Sequence, residues 1–431
     1  MIRKYIRQSW ELIRSERLYT ALYVAGVALS ITTVMVLSIV LYVRLAPVYP
    51  EINRDRTMYV STLTVGDSTS TSQSGLSLNA VNEFIAPLEG IECYTVVISD
   101  NISGIVKLPS GRGRIQVKAL ATDANFFKVY GFDFIAGTPF TYADFEAGRP
   151  CAVVSDRMAI ELYGNVDDAM GKEVDMDTNK FRIVGVVREA SSAMSRSNAQ
   201  VFVPYTFYKG YDSTRYTYLY GYQVVLVRKP GADESWISSQ FDRAARAGAS
   251  SLGEGVFIKT YGQPISHYDD SFRSWPGEDD GKTRFLSFYM LVALVLLFVP
   301  ALNLCGMIVG RMDRRRHEMA IRKSFGAKRG LLLWQVLVEN LLLTLIGAAI
   351  GLAVAWGILY LNYDWIFNFM DEYLSDNDLR TRASLDFSIL ISLAVFCIAL
   401  CTALLLNIMS SLIPAWLSLR HPIVKSLNER R

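Results

Sequence analysis

Four long apolar runs divide the chain, at residues 21–43, 285–310, 331–361 and 387–413. About 20 consecutive apolar residues in a helix cross the hydrocarbon core of a bilayer, so each run is long enough to be a membrane helix. The first run is longer than the apolar core of a cleaved secretory signal, and no clear small-residue cleavage site follows it. The pattern therefore predicts a membrane protein with four transmembrane helices, the first of which is uncleaved.

Charged residues outside these runs predict a topology. Residues 1–20, 311–330 and 414–431 are basic, whereas residues 362–386 are mainly acidic. Because Lys and Arg in short loops are retained in the cytoplasm, both termini and residues 311–330 are expected there. Apolar positions at helical spacing make residues 1–20 either an amphipathic helix on the membrane surface or a charged flank without a further role. Residues 362–386 are expected to form a short loop on the outer side of the membrane.

Residues 44–284 form the one long stretch without an apolar run. Short alternating runs in this stretch predict strands, and a few segments show helical spacing. Strands are expected at residues 57–65, 92–99, 114–121, 151–155, 180–188, 201–205, 216–227 and 256–261, and helices at residues 76–85, 156–163 and 233–248. Residues 66–75, GDSTSTSQSG, are expected to be a mobile loop. We predict a large α+β extracytoplasmic domain of two subdomains between the first two membrane helices, with one subdomain at residues 123–215 inserted in the other.

The sequence contains no recognisable catalytic or metal-binding pattern. His267, His317 and His421 are far apart, and none of the five cysteines is at metal-ligand spacing. The nearest approach to a phosphate-binding loop is Gly281-Lys282-Thr283, but Pro276 occupies the position of its first glycine. We expect no catalytic residue, no metal and no cofactor in this chain.

Cys93 and Cys151 both lie in the predicted outer domain. A disulfide can persist outside the cytoplasm, but two cysteines alone do not establish one. A Cys93–Cys151 disulfide and two free thiols are both open interpretations.

The formal net charge of the whole chain is only +3. Membrane topology is a sufficient explanation for its basic segments, which lie at the ends of apolar runs. Membrane lipid is therefore an expected contact, and nucleic acid is not an expected partner.

Two features of the third apolar run concern packing and charge. Gly347-x-x-x-Gly351 provides a small-residue face suited to close helix packing, either inside one bundle or across a dimer. Glu339 is an intramembrane carboxylate, and Gln335 precedes it by four residues on the same helix face. Because such carboxylates usually face protein or water, Glu339 is either a structural partner of a polar or basic group or part of an ion pathway.

The segment HEMAIRKSFGAKRGLLLWQVLVENLLLTLIGAAIGLAVAW resembles the permease signature of the MacB/FtsX family of ABC transporters. The matching positions are Glu318, Ile321, Arg322, Lys323, Gly326, Ala327, Gln335, Glu339, Gly347 and Gly351. The C-terminal PAWLSLRHPIVKSLNER is similar to the tail of that family. In the outer domain, ALATDANFFKVYGFDFIAGTPF, CAVVSDRMAIELYG, GKEV and FRIVGVV resemble the MacB-like periplasmic core.

The resemblance implies a type VII ABC permease of the bacterial inner membrane. Such a permease is a non-catalytic subunit that forms a homodimer, or a heterodimer with a related permease, and binds a cytoplasmic ABC ATPase subunit. Because the sequence begins at the first membrane helix, we expect that ATPase on a separate chain. The family implies mechanotransmission, in which ATP hydrolysis moves periplasmic domains, and a membrane-fusion adaptor as a further partner.

Three functions are compatible with the sequence. The favoured one is efflux or extrusion of peptides, drugs or lipoproteins. The alternative is an FtsX-like membrane scaffold that transmits the state of the ATPase to a cell-wall hydrolase. A third, an ion-driven transporter, depends on Glu339 alone.

Residues 311–330 are the expected contact with the ATPase. The predicted ATPase-coupling residues are Glu318, Met319, Ile321, Arg322, Lys323, Phe325 and Gly326. The apolar members, Met319, Ile321 and Phe325, are expected to be buried against the ATPase, with the basic members at the polar rim. Gly326 is a typical helix end, so the sequence predicts a short coupling helix that stops there.

Overall fold

The computed structural model describes residues 17–98, 102–109, 111, 113–191, 193–207, 218–273 and 329–370, with isolated helical residues between 283 and 294 and between 396 and 405. The chain separates into two compact units. One contains residues 1–42, 286–370 and 386–431, and the other contains residues 43–285 and 371–385. We call the first the helical unit and the second the α+β unit.

The elements of the described chain are numbered here in chain order. The helices are α1 (Arg17–Leu45), α2 (Leu78–Ala80, continued by a π-helical turn at Val81–Ile85), α3 (Phe126–Val129), α4 (Tyr142–Glu146), α5 (Asp156–Tyr163), α6 (Val166–Ala169), α7 (Glu234–Leu252), α8 (His267–Ser271) and α9 (Arg329–Met370). The strands are β1 (Thr57–Val60), β2 (Leu63–Gly66), β3 (Thr71–Leu76), β4 (Ile91–Ile98), β5 (Ile102–Lys107), β6 (Arg114–Thr122), β7 (Phe134–Gly137), β8 (Cys151–Ser155), β9 (Glu173–Met176), β10 (Asn179–Val187), β11 (Val201–Pro204), β12 (Leu219–Tyr220), β13 (Tyr222–Arg228), β14 (Phe257–Lys259) and β15 (Ile265–Ser266).

Helices α1 and α9 each contain a stretch long and apolar enough to cross a membrane. These stretches are Thr20–Leu45 and Asn340–Leu361, with mean hydropathy 2.4 and 2.3. The first matches the predicted membrane helix at 21–43 closely, and the second overlaps the predicted helix at 331–361 from residue 340 onward. Because α9 continues past residue 361, the predicted loop begins too early there. The apolar runs at 285–310 and 387–413 lie outside the described residues except for isolated positions, so the count of four stays a prediction.

Six strands of the α+β unit close into a ring. Strand β6 has β5 on one side and β11 on the other, since Ala119 pairs with both Ile102 and Val201. The ring continues from β11 through β8, β10 and β9 back to β5. The β6–β11 and β8–β10 pairs are parallel and the other four are antiparallel. We call these six strands the strand ring, and buried side chains such as Val117 and Val154 belong to its core.

A second group of strands comes mainly from segments on either side of the strand ring in sequence. Strand β13 pairs with β4 on one side and β1 on the other, and β1 also pairs with β15. Strand β3 pairs with β2, β12 and β13. Helix α7 buries Ile237, Phe241 and Ala245 at spacings of four residues, so one face of the helix lies against the core. Phe241 meets Phe84 of the π-helical turn edge to face, with ring centroids 6.3 Å apart.

The two strand groups meet where β4 passes β6. These strands share one residue pair, Val97 with Thr122. Asp123 follows β6 directly and accepts hydrogen bonds from the Thr95 hydroxyl at 2.6 Å and the Val96 amide at 3.2 Å. The buried carboxylate therefore supplies acceptors to β4 that a regular strand neighbour would otherwise provide.

The strand ring bears on the predicted division into subdomains. Strands β5 and β6 precede residue 123, yet they pair with β9 and β11, which lie within the predicted subdomain at 123–215. By strand pairing, the inserted part therefore reaches back to residue 102. The division itself stays a prediction.

Residues 66–75 were expected to be a loop, and that prediction is wrong for most of them. Residue 66 ends β2, residues 71–75 belong to β3, which pairs with β2, and residues 67–70 form the turn of this hairpin. Asp67 closes the turn, since its side chain accepts hydrogen bonds from the amides of Thr69 at 2.7 Å and Ser70 at 2.9 Å. Half of the residues of β3 are solvent-exposed and the strand is mainly polar, so it lacks the apolar residues that the strand prediction relied on.

Cys93 and Cys151 are free thiols. Burial raises the pKa of Cys151 to about 11 and also raises the pKa of Cys93 above its ordinary value. Both groups are therefore protonated at neutral pH. Of the two interpretations left open by the sequence, the structure has the free thiols.

Candidate functional site at the end of helix α1

The sequence-predicted site residues fall into three groups in the structure. The coupling residues lie outside the described residues, namely Glu318, Met319, Ile321, Arg322, Lys323, Phe325 and Gly326. Gln335 and Glu339 lie on α9, where the structure describes their backbone alone. Gly347 and Gly351 are fully described and lie on α9 against α1.

The two glycines allow α1 and α9 to approach to backbone contact. A Cβ atom on Gly351 would lie 2.6 Å from the carbonyl oxygen of Ala28, and one on Gly347 would lie 2.7 Å from Cγ1 of Val27. The Thr32 hydroxyl donates a hydrogen bond of 3.0 Å to the carbonyl oxygen of Gly351. Small residues have this role in closely packed membrane helices, where each added methyl group would hold the backbones apart.

Helices α1 and α9 run in the same direction. Gly347 lies against Val24 and Val27, and Gly351, one turn later, lies against Ala28 and Ile31. Contact positions thus increase together along both helices. The pair is parallel.

The C-terminal end of α1 is held by side chains of the α+β unit. The last carbonyl oxygens of a helix have no intrahelical donor and need other partners. Arg54 donates from Nη1 to the carbonyl oxygen of Val43 at 2.6 Å and to that of Ala46, just beyond the helix, at 2.9 Å. A positive guanidinium at this end also matches the sign of the helix dipole.

Arg54 belongs to a buried ion pair. Its Nε lies 2.8 Å from Oε2 of Glu51, and each side chain is 4% exposed. The other carboxylate oxygen of Glu51 accepts a hydrogen bond of 2.7 Å from the Ser197 hydroxyl. Burial alone would raise the pKa of Glu51, but Arg54, the nearby His267 and the Ser197 hydrogen bond together lower that pKa. Glu51 is therefore ionised at neutral pH.

His267, the first residue of α8, binds the same end of α1. Its Nε2 lies 2.9 Å from the carbonyl oxygen of Arg44, which can only accept, so Nε2 carries the proton. Its Nδ1 then accepts from the Tyr59 hydroxyl at 3.0 Å. Burial lowers the pKa of His267, and Arg54 lowers it further against the opposing effect of Glu51. The ring is neutral at pH 7, with both nitrogens hydrogen-bonded.

A second ion pair connects α8 to residues 193–198, which lie between β10 and β11 and are called here the junction loop. Arg196 donates to Oδ2 of Asp270 from Nη2 at 2.7 Å and from Nε at 3.1 Å. Its Nη1 donates to Oε1 of Gln223 in β13 at 3.0 Å, and its Cζ lies 4.3 Å from the ring centroid of Tyr59. Met194 of the same loop accepts from Nη2 of Arg54 at 2.8 Å.

These contacts make one connected cluster, called here the junction. Its members are Glu51, Arg54, Arg196, Ser197, His267 and Asp270. The two arginines are paired with the two acids, and the histidine is neutral, so the charges of the junction balance. Among the residues that the structure describes, no group of three or more His, Cys, Asp or Glu side chains is placed to hold a metal ion. The chemistry of the junction is attachment by hydrogen bonds and paired charges.

Sequence reasoning did not identify the junction. Glu51 and Ser197 are 146 residues apart, and Arg196 and Asp270 are 74 residues apart. The one local signal is the Glu51-x-x-Arg54 spacing directly after the first apolar run, which is common on polar segments. His267 was noted only as one of three isolated histidines.

Comparisons with known proteins find relatives over both parts of the chain. The MacB-like periplasmic core domain family matches residues 20–244, and the FtsX-like permease C-terminal family matches residues 290–423. The macrolide export ATP-binding/permease protein MacB 1 of Yersinia pestis bv. Antiqua (strain Antiqua) is 23% identical over 363 residues, 83% of this chain and 52% of that protein. The uncharacterized ABC transporter permease YknZ of Bacillus subtilis (strain 168) is 24% identical over 279 residues, 63% of this chain and 64% of that protein.

Solved structures include a similar domain. The periplasmic region of MacB from Actinobacillus actinomycetemcomitans has a TM-score of 0.34 and 16% identity, covering 47% of this chain and 90% of that one. The chain spans about half the length of the MacB relatives that it matches.

Proposed function

Because the chain belongs to the MacB/FtsX family of ABC transporter permeases, we propose that it is a permease subunit that converts ATP hydrolysis on a partner chain into motion of its periplasmic domain. The family matches confirm the resemblance found in the sequence and the presence of a periplasmic-type α+β domain. The observation that carries the proposal is the junction, which binds the end of α1 by a buried ion pair and by hydrogen bonds to its carbonyl oxygens.

An attachment of this kind supports force transmission better than a flexible linker does. Breaking a buried ion pair by removing one partner costs about 3–5 kcal/mol, because the remaining charge stays buried. Each hydrogen bond to a helix carbonyl adds about 1 kcal/mol. If the end of α1 is displaced, the junction residues bound to it therefore move with it, unless several of these bonds break at once.

The parallel packing of α1 and α9 supports the proposed topology. If both helices cross the membrane in the same direction, the chain between them has to cross back an odd number of times. Residues 285–310 are the one apolar run of that length in the interval. We place the second membrane helix there and the fourth at 387–413, with both termini in the cytoplasm as the basic segments require.

The ATPase contact is proposed for residues 311–330. Three apolar residues, Met319, Ile321 and Phe325, interrupt a basic segment that the proposed topology puts in the cytoplasm. Apolar anchors with a polar rim are the usual composition of a protein interface. A second permease copy or a related permease and a periplasmic adaptor are the other proposed partners.

The proposed cargo is a peptide, a drug or a lipoprotein that is extruded from the outer side. The name of the Yersinia relative refers to macrolide export, which adds a drug to the candidates. The second candidate function is the FtsX-like scaffold that signals to a cell-wall hydrolase. The long interval between α1 and the run at 285–310 favours extrusion, because FtsX-type outer domains are smaller.

Affinity purification of the full chain in mild detergent tests the proposal. We expect an ABC ATPase among the bound proteins, and absence of any ATPase would contradict the proposal. A bound adaptor would favour extrusion, whereas a bound peptidoglycan hydrolase would favour the scaffold.

A pair of variants tests the ATPase contact. Ile321→Asp and Phe325→Asp should abolish copurification of the ATPase or uncouple its hydrolysis, with membrane insertion unchanged. Ser324→Asp is the matched control, because it adds the same charge in the same segment without removing an apolar residue. Equal effects of all three substitutions would contradict the assignment of the apolar residues.

A further inference from the structure

The junction loop contains fully buried residues although it connects two strands. Met194 and Ser197 are both 0% exposed. Connecting loops usually lie on the surface, because buried backbone leaves polar groups without partners. Two buried amides of this loop find an acceptor within it, since Ser197 and Asn198 donate to the carbonyl oxygen of Met194 at 3.1 and 2.7 Å. It is therefore a fixed part of the α+β unit.

The junction loop has two separate attachments. On the α1 side, Ser197 donates to Glu51 and Met194 accepts from Arg54. On the α8 side, Arg196 binds Asp270 through two donors. The first attachment reaches the carbonyl oxygens of α1, and the second reaches the last helix described before the apolar run at 285–310.

The end of α1 and helix α8 are also bound to each other. Nε of Arg44 donates to the carbonyl oxygen of Ser271 at 2.8 Å, and His267 donates to the carbonyl oxygen of Arg44. Two segments of the α+β unit lead toward apolar runs, namely the end of α1 and helix α8. Hydrogen bonds link these two segments directly. All of these residues belong to the α+β unit.

The junction loop leads into the strand ring. Its chain continues backward into β10 and forward into β11, both of which are ring strands. Lys118 of β6 adds a third link, since its Nζ donates to the carbonyl oxygen of Ser195 at 3.2 Å. A different route leads from the same connections into β1 and β15, which pair with each other and belong to the second strand group. Arg196 also contacts this second group, at Gln223 of β13 and Tyr59 of β1, but the backbone of the junction loop leads directly into β10 and β11.

We propose that Arg196 is a positioning residue. It makes the strand ring move together with α1 and α8 during the motion that nucleotide drives. A guanidinium suits this role because its donors point in several fixed directions, here to Asp270 and Gln223. The inference rests on the proposed function and adds the route by which motion reaches the domain. Contact alone does not establish coupling, so the test measures a response.

Amide hydrogen exchange of the permease–ATPase complex in nanodiscs, with and without ATP and vanadate, tests this route. In the wild type we expect nucleotide to change exchange in residues 43–56 and in β10 and β11. In Arg196→Met the change should persist in residues 43–56 but decrease at least twofold in β10 and β11, because only the attachment through Glu51 and Arg54 remains. ATPase binding and hydrolysis should stay within about twofold of the wild type.

Two controls accompany this experiment. Arg246→Met removes an exposed arginine that pairs with Asp242 at 2.6 Å, and it should change nothing. The charge exchange Arg196→Asp with Asp270→Arg should restore at least part of the response in β10 and β11. If Arg196→Met does not fold, Asp270→Asn removes the same ion pair with almost no change in shape.

The outcomes separate the two proposals. Absence of an ATPase from the purified complex contradicts the proposed function. A bound ATPase with an undiminished nucleotide response of β10 and β11 in Arg196→Met contradicts the role of Arg196 alone. A bound, active ATPase with no nucleotide response anywhere in the wild-type α+β unit contradicts both.

Discussion

Replacing Gly351 by alanine should weaken the contact between α1 and α9. The added Cβ atom would lie 2.6 Å from the carbonyl oxygen and 3.1 Å from the Cα atom of Ala28. An ordinary contact is at least 3.4 Å, so the backbones have to separate by about 3.4 − 2.6 = 0.8 Å. The obstructing atoms are helix backbone and cannot rotate away, unlike the end of a side chain.

The expected loss of stability is about 1–3 kcal/mol. Overpacking by one methyl group in a close interface costs about 1–3 kcal/mol. Separation also stretches the hydrogen bond from Thr32 to the Gly351 carbonyl, for which about 0.6 kcal/mol is typical between membrane helices. The intrinsic helix preference of alanine opposes these losses by at most about 1 kcal/mol.

The matched control is Gly357→Ala on the same helix. No described atom lies within 4 Å of a Cβ placed on Gly357. This substitution should leave stability unchanged or raise it, because only the helix preference changes. Gly347→Ala should lie between the two, since its nearest backbone atom, the carbonyl oxygen of Val24, is 3.2 Å from the added Cβ, whereas for Gly351 that distance is 2.6 Å.

Equilibrium unfolding of the full chain in detergent, followed by circular dichroism, compares these variants. We expect the order of stability Gly357→Ala, wild type, Gly347→Ala, Gly351→Ala, from highest to lowest. Equal stability of Gly351→Ala and Gly357→Ala would show that α1 and α9 are not in close contact. In that case the assignment of residues 285–310 to a membrane crossing would lose its structural support.

Three further predictions concern charges in the α+β unit. Arg54→Met should destabilise the chain by about 3–5 kcal/mol in denaturant titrations, because Glu51 stays buried without its partner. The control Arg246→Met, in an exposed pair, should cost less than about 1 kcal/mol. Equal losses would show that the buried pair has no special role. Glu189→Gln should raise stability by about 1 kcal/mol at pH 8 and leave it unchanged at pH 4 in melting curves. Burial raises the pKa of Glu189 from 4.5 to about 7, so stability is lost as the pH rises through this interval. A gain of the same size at both pH values would contradict this. Burial lowers the pKa of His267 below its ordinary 6.5, so the folded state favours the neutral ring and loses stability as the pH falls below 6.5. Amide exchange in α8, corrected for its intrinsic pH dependence, should therefore rise when the pH is lowered from 7 to 5.5 in the wild type. The rise should be much smaller in His267→Gln.

Local sequence patterns were sufficient for one strand and the capped helix that follows it. Strand β8 and helix α5 have their predicted bounds, because a run of buried residues meets Ser155, whose side chain accepts from the amide of Met158, and Gly164 follows the helix with φ of 86°. Strands β5, β7 and β9 were not predicted. The exposed side chains of β7 show why, since a short strand with little apolar periodicity gains its stability from its neighbours.

The membrane helices also show which features local sequence predicts and which depend on the tertiary structure. The apolar runs locate α1 and α9, because a lipid environment requires an apolar surface along the whole helix. The Gly347-x-x-x-Gly351 pattern indicates close packing without specifying a partner. The structure places α1 against both glycines, parallel to α9. No local feature of the α9 sequence predicts that direction.

From the sequence alone follow the membrane character, the family, the order of the main elements and the basic segment that the ATPase contact is expected to use. Each of these depends on residues that are close together in the chain. The junction required the tertiary structure, since Glu51, Ser197, Arg196 and Asp270 are ordinary polar residues in their local surroundings. Glu51 and Ser197 are buried, and Arg196 and Asp270 are partly buried. A charge in such a place needs a partner, and here the partner comes from a distant part of the sequence.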